Sequence, residues 1–120
     1  MTYDRDGLFE QISNALEVEP RIKLSELSTK LGVGRHTVQH VVRTFTRQPF
    51  REYQNQVVLS ISLQLLSRKP HFTIKEISYR LGYGSVRAFS RFIKKQTGKT
   101  PSEMRQATKE SSTNVSFSSK

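Results

Sequence analysis

The chain has no cysteine. That excludes a disulfide framework and a thiolate metal site together. It has no long hydrophobic run either. Its most apolar stretch, Val57 to Leu66, is broken by two serines and a glutamine, and is much shorter than the roughly 20 residues that cross a bilayer. The opening segment, MTYDRDGLFEQ, carries acids where a secretory signal needs a basic start and a long apolar run. Hydrophobic residues make up 34% of 120 residues, enough for one domain or two small helical subdomains but not for a large core.

Acid is scarce. There are 10 Asp+Glu against 20 Lys+Arg, a net charge of +10. The imbalance is uneven. Residues 1–20 hold Arg5 against Asp4, Asp6, Glu10, Glu17 and Glu19, whereas Glu76 is the only acid between Leu66 and Lys99. A basic chain with an acidic leading segment points to a polyanion partner, although charge alone is equally compatible with a solvated basic surface. Spacing decides between them.

The stretch TIKEISYRLGYGSVRAFSRFIKKQTGKTPSEMR, from Thr73 to Arg105, reads as helix, tight turn, helix, stop. Ile74, Ile77 and Leu81 fall on one helical face. Thr73 can cap that helix, and Glu76 completes a capping box. Gly82 and Gly84 end it, and Ser85 can cap the next helix. Ala88, Phe89, Phe92 and Ile93 are expected to form the buried stripe of that second helix, opposite Arg87, Ser90, Arg91, Lys94 and Lys95. Gly98 stops it, and Pro101 can open a further helix after Thr100. A short helix, a glycine turn and a second helix with a basic outer face is the pattern of a helix-turn-helix.

The run Gly82-Tyr83, Ser85, Phe89, Ser90-Arg91, Lys94-Lys95, Gly98, Thr100-Pro101, Arg105 resembles the signature of the AraC/XylS family of bacterial transcription regulators, with Ile93 where that pattern has a second aromatic. The resemblance covers about Leu8 to Ala107. It implies an all-α fold of about seven helices, with two helix-turn-helix subdomains joined by a long linker helix. It also implies duplex DNA as partner, contact with RNA polymerase and activation of transcription; the lack of a signal segment and of a membrane-length run leads to the expectation of a cytoplasmic, nucleoid-associated location, and no cofactor is expected. Many members carry an effector domain ahead of this unit. These 120 residues have no room for one, so the chain is expected to be a short member or the DNA-binding part of a longer one.

An internal repeat supports two copies of one unit. Leu24, Glu26, Leu27, Ser28, Leu31, Gly32 and Gly34 match Ile74, Glu76, Ile77, Ser78, Leu81, Gly82 and Gly84 fifty residues on. After the turn the offset is fifty-one, pairing Val38 with Phe89, Val41 with Phe92 and Glu52 with Glu103. The first copy has His40 for Arg91, Val42 where the family has an aromatic, and Arg47 for Gly98. It is expected to be the less stable copy, with a doubtful exit turn. The organisation expected is a tail (1–6), a first subdomain (7–48) opened by a helix from Gly7 to Val18, a linker helix (49–68), a second subdomain (69–107) and a disordered serine-rich tail (108–120). The linker helix, about 28 Å at 1.5 Å per residue, suits two recognition helices near one DNA turn apart.

Base reading needs donors on the exposed face of each second helix. Arginine forks to guanine, glutamine pairs with adenine, and small side chains touch the thymine methyl. The candidates are Arg35, His36, Gln39 and His40 in the first motif, and Val86, Arg87, Ser90 and Arg91 in the second. Within these, His36, Gln39, His40, Val86, Arg87 and Arg91 are the positions the resemblance implies. Arg43, Ser85, Lys94 and Lys95 are candidates for phosphate contacts, which position without specifying. His36 and His40 have the spacing of a zinc helix, but Thr37 stands where the catalytic form has Glu, and zinc needs three or four ligands. No metal site is expected. No nucleophile with a base and no paired carboxylates appear, so no enzyme is expected. Val58, Ile61 and Leu65 form an apolar stripe on the linker helix. It is either extra core or a surface for self-association or polymerase, and it is the basis of the alternative, a protein-interaction module.

Overall fold

The computed structural model describes residues 4–68 and 71–107. These residues form helices and turns, with no strand. In order they are α1 (Arg5–Val18), α2 (Leu24–Leu31), α3 (Arg35–Thr46), α4 (Phe50–Arg68), α5 (Ile74–Arg80) and α6 (Val86–Thr97); residues 101–107 form α7. α1 starts at Arg5 rather than Gly7. The disorder expected from residue 108 onward, and Lys69 and Pro70 in the break before the second motif, lie outside the described residues. Among the described residues no helix is long and apolar enough to cross a membrane. The chain divides into two units between Val58 and Leu59, inside α4.

The first unit is built on α1, α2, α3 and the start of α4. Leu8, Ile12 and Leu16 of α1 meet Leu27 of α2, Val38, Val41 and Val42 of α3, and Phe50 of α4 in one core. Each such side chain contributes about 1.5–3 kcal/mol by leaving water. Phe9 stacks on Phe45 at 4.8 Å and tilts against Tyr53 at 5.8 Å. The Tyr53 and Ser13 hydroxyls are hydrogen-bonded at 2.8 Å. Gln54 Nε2 donates to the carbonyls of Pro20 (2.9 Å) and Ile22 (2.7 Å), which fastens the α1–α2 connection to α4.

In the second unit Leu66, Ile77, Leu81, Tyr83, Phe89 and Ile93 are buried, with Tyr83 5.5 Å from Phe89 and 6.0 Å from Phe92. Arg105 Nε donates to the Leu66 carbonyl at 3.0 Å. Ala88 is exposed and Phe92 only half-buried, against the expectation of a four-residue stripe. The stripe centres on Phe89 and Ile93, one turn apart, and Ala88 sits about 100° away on the helix.

Two glycine turns repeat bond for bond. Gly32 and Gly82 take the left-handed conformation (φ 71° and 89°). Val33 N–H donates to Ser28 O at 3.0 Å, and Tyr83 N–H to Ser78 O at 2.9 Å. The next helix is then capped by Gly34 in the first unit and Ser85 in the second. Gly34 therefore corresponds to Ser85, not to Gly84. Gly84 is the extra residue that changes the offset, and its φ is not positive.

The exit turn of the first motif is fully formed. Arg47 takes the left-handed conformation (φ 62°) that Gly98 takes in the second copy (φ 82°). Thr46 Oγ1 donates to Val42 O (2.7 Å) and accepts from Gln48 N (3.2 Å). Thr97 does the same with Ile93 O (2.8 Å) and Lys99 N (3.1 Å).

Along α4 the buried face runs through Phe50, Val58, Ser62 and Leu66. Val58 is 2% exposed, so it is core and offers nothing to a partner. Ile61 and Leu65 lie beside that face and are half-buried.

Candidate nucleic-acid interface

α3 is amphipathic in the sense the repeat requires. Val38, Val41 and Val42 are fully buried. Arg35, His36, Gln39, His40 and Arg43 are all exposed. The spacing 36, 39, 40, 43 is one helical face, and the helix, RHTVQHVVRTFT, contains no acid.

α6 repeats this with different chemistry. Phe89 and Ile93 are fully buried, and Val86 is 37% exposed. Arg87, Arg91, Lys94 and Lys95 are exposed, while Ser90 is half-buried. VRAFSRFIKKQT also lacks any acid. The offset of fifty-one places His36 with Arg87, Gln39 with Ser90, His40 with Arg91 and Arg43 with Lys94. Ser85 Oγ accepts from Ala88 N–H at 3.1 Å, so its oxygen is committed to the cap and its proton remains to be donated. Gly34 gives α3 no such side-chain cap.

The supporting helix of the second motif is tightly started. Glu76 N–H donates to Thr73 Oγ1 at 3.0 Å, and Thr73 N–H donates to Glu76 Oε1 at 2.9 Å. Thr100 and Glu103 repeat the pair at the start of α7, at 3.2 and 2.8 Å. The backbone N–H bond from Thr73, helped by the Thr73 side chain, holds the Glu76 carboxyl below its ordinary pKa. Thr100 does the same to Glu103. In the first motif Lys23 stands in the place of Thr73 and has no acceptor. Only the reciprocal bond remains, Lys23 N–H to Glu26 Oε1 at 3.4 Å.

Two features are absent from the sequence-based expectation. Gln54 and Arg105 stand at equivalent places in the repeat, and each reaches a distant carbonyl; Arg105 thus serves the packing of its unit rather than the DNA face. A basic groove also opens beside α3, lined among others by Arg21, Lys23, Gln39 and Arg51. Extending the repeat past the exit turn pairs Gln54 with Arg105 but does not name their acceptors. The groove comes from three separate segments and has no local signal.

A family model described as a helix-turn-helix domain matches residues 27–107. The Msm operon regulatory protein of Streptococcus mutans is 32% identical over 84 residues, covering 70% of this chain and 30% of that protein. The regulatory protein SoxS of Escherichia coli is 28% identical over 90 residues, covering 73% of this chain and 81% of SoxS. The C-terminal domain of the two-component response regulator yesN from Fusobacterium nucleatum has a TM-score of 0.71 at 25% identity, over 82% of this chain and 98% of that one. The chain thus spans under a third of the streptococcal relative and most of SoxS.

Proposed function

The chain belongs to the AraC-type family of helix-turn-helix regulators, and from that premise we propose that it binds a specific duplex DNA site with α3 and α6, each in a major groove, and activates transcription there. One observation carries this: two helices in the same repeat register present acid-free, polar, exposed faces backed by fully buried stripes. A helix fits the major groove, and its exposed donors then face base edges.

Base reading is assigned to Arg35, His36, Gln39 and His40 on α3 and to Val86, Arg87, Ser90 and Arg91 on α6. Arg43, Ser85, Lys94 and Lys95 are assigned to phosphates. Ser90, being half-buried, reaches least far. Activation requires that the bound protein recruit RNA polymerase, and binding to chromosomal DNA would hold the chain on the nucleoid. Self-association through the α4 stripe loses support from the burial of Val58.

Selection of bound sites from random duplexes tests the proposal. An enriched asymmetric motif with two half-sites supports it. Recovery of no motif, with binding that follows charge alone, would sink it. Transcription in vitro from a promoter carrying the selected site then tests activation: no increase over the polymerase alone would refute that part.

A further inference from the structure

A basic groove of about 480 Å³ lies in the first unit, beside α3. Arg21 and Lys23 line it from the α1–α2 connection, Arg51 from the first turn of α4, and Gln39 from α3; Leu24 and Phe50 complete much of its wall. Among the described residues no acid lines it. Cations such as Lys23 and Arg51 gathered on one concavity favour an anion there, and low-dielectric walls strengthen that preference.

The local backbone has the same sense. α2 starts at Leu24 and α4 at Phe50, so two helix N-termini adjoin the groove. Lys23, in the N-cap position, cannot accept a hydrogen bond, and α2 has no side-chain cap. Both helix starts add amide donors beside these cations, each with an acid, Glu26 or Glu52, in its first turn.

The second unit lacks this set. The repeat places His71, Thr73 and Ser102 at the positions of Arg21, Lys23 and Arg51. Thr73 also closes the start of α5 with its own side chain. The groove is therefore particular to the first unit, whose α3 carries the neutral reader Gln39 where the second unit has Ser90. Gln39 is both a proposed base reader and a wall of the groove. An anion seated there lies beside Gln39, and in a duplex backbone phosphates flank every base edge that a side chain reads.

We propose that this groove holds one backbone phosphate of the half-site read by α3, gripped by Lys23 and Arg51, a proposal that rests on the DNA-binding function above. The first unit then supplies affinity through the backbone, and the second supplies most of the discrimination.

The test uses the full chain and the selected duplex. The double variant K23Q/R51Q should bind more weakly at low salt, and its log–log salt slope should fall by about 0.9, the share of one phosphate. Its ratio of affinities for selected and scrambled duplexes should stay that of the wild type. Single methylphosphonate substitutions along the α3 half-site should reveal one phosphate whose neutralisation weakens the wild type but not the variant. Lys23 and Arg51 are exposed, and the single variants K23Q and R51Q carry the same phosphate scan should the double variant fail to fold. An unchanged slope, or a wild-type and variant scan that run parallel at every phosphate, overturns the proposal. So does saturable binding of inorganic phosphate without DNA that the duplex does not displace, since the groove would then serve a small phosphorylated ligand. If the wild type binds no duplex at all, the DNA-binding function itself has failed, an outcome distinct from these.

Discussion

Arg91 is exposed on α6, one turn beyond Arg87, on a helix with no acid to neutralise either. Its fork can read guanine in two hydrogen bonds. Arg91→Ala should cost about 1–3 kcal/mol of specific binding, with the helical content unchanged because the residue packs against nothing in the core. Equal affinity of the two proteins for the selected duplex would remove Arg91 from the reading set. Arg47 poses the opposite case, a residue whose importance is conformational. Its left-handed backbone costs a non-glycine residue about 1–2 kcal/mol. Glycine removes that strain but loses about 0.5–1 kcal/mol in chain entropy. Arg47→Gly should therefore leave stability level or raise it by up to about 1.5 kcal/mol, visible as a higher urea midpoint. A lower midpoint would show that the arginine side chain contributes more than its backbone strain takes away.

The elements were legible in the sequence to the extent that their signals are local. Thr73, Glu76, Gly82 and Ser85 each act within a few residues of where they stand, and each does what its type and position imply. The buried face of α4 was not legible. Val58, Ile61 and Leu65 look like a stripe because they share helical spacing, whereas the buried line runs through Val58, Ser62 and Leu66. The bonds of Gln54 and Arg105 were hidden for a related reason: nothing local tells a side chain which distant carbonyl it will meet. The legible caps carry a pH prediction. Thr73 and Thr100 hold the Glu76 and Glu103 carboxyls below the ordinary value of 4.5. A carboxyl whose pKa falls on folding adds stability above its unfolded pKa and loses it as pH drops through the folded value. Acidification below 4.5 should therefore loosen α5 and α7. Glutamine keeps the capping hydrogen bond without the charge. E76Q/E103Q should begin less stable at neutral pH and fall less steeply in acid. Melting curves of wild type and variant that descend in parallel would separate the caps from the acid response.

At the scale of the whole molecule the two units are one motif used twice with different chemistry. The turn bonds and the exit bonds coincide under a shift of fifty and then fifty-one residues, while the exposed faces diverge, with His36, Gln39 and His40 in one and Val86, Arg87 and Arg91 in the other. A chain of this kind should read two unlike half-sites, so a single copy should protect an asymmetric sequence. Nineteen residues of continuous helix, α4, join the units. At 1.5 Å per residue that is about 28 Å, shorter than one DNA turn of about 34 Å and much shorter than two. Half-sites about 10 base pairs apart present both major grooves to one side of the duplex. Inserting about five base pairs between them turns one half to the far side, and only one unit can then bind. Affinity should drop to that of a single half-site. The α6 half-site should survive this separation better in sequence preference, since an arginine can address guanine with two hydrogen bonds. The α3 half-site should depend more steeply on salt. A duplex with the inserted half-turn that binds as well as the original, or a selected site that proves palindromic and is bound only by two copies, would mean that the units do not read DNA in tandem.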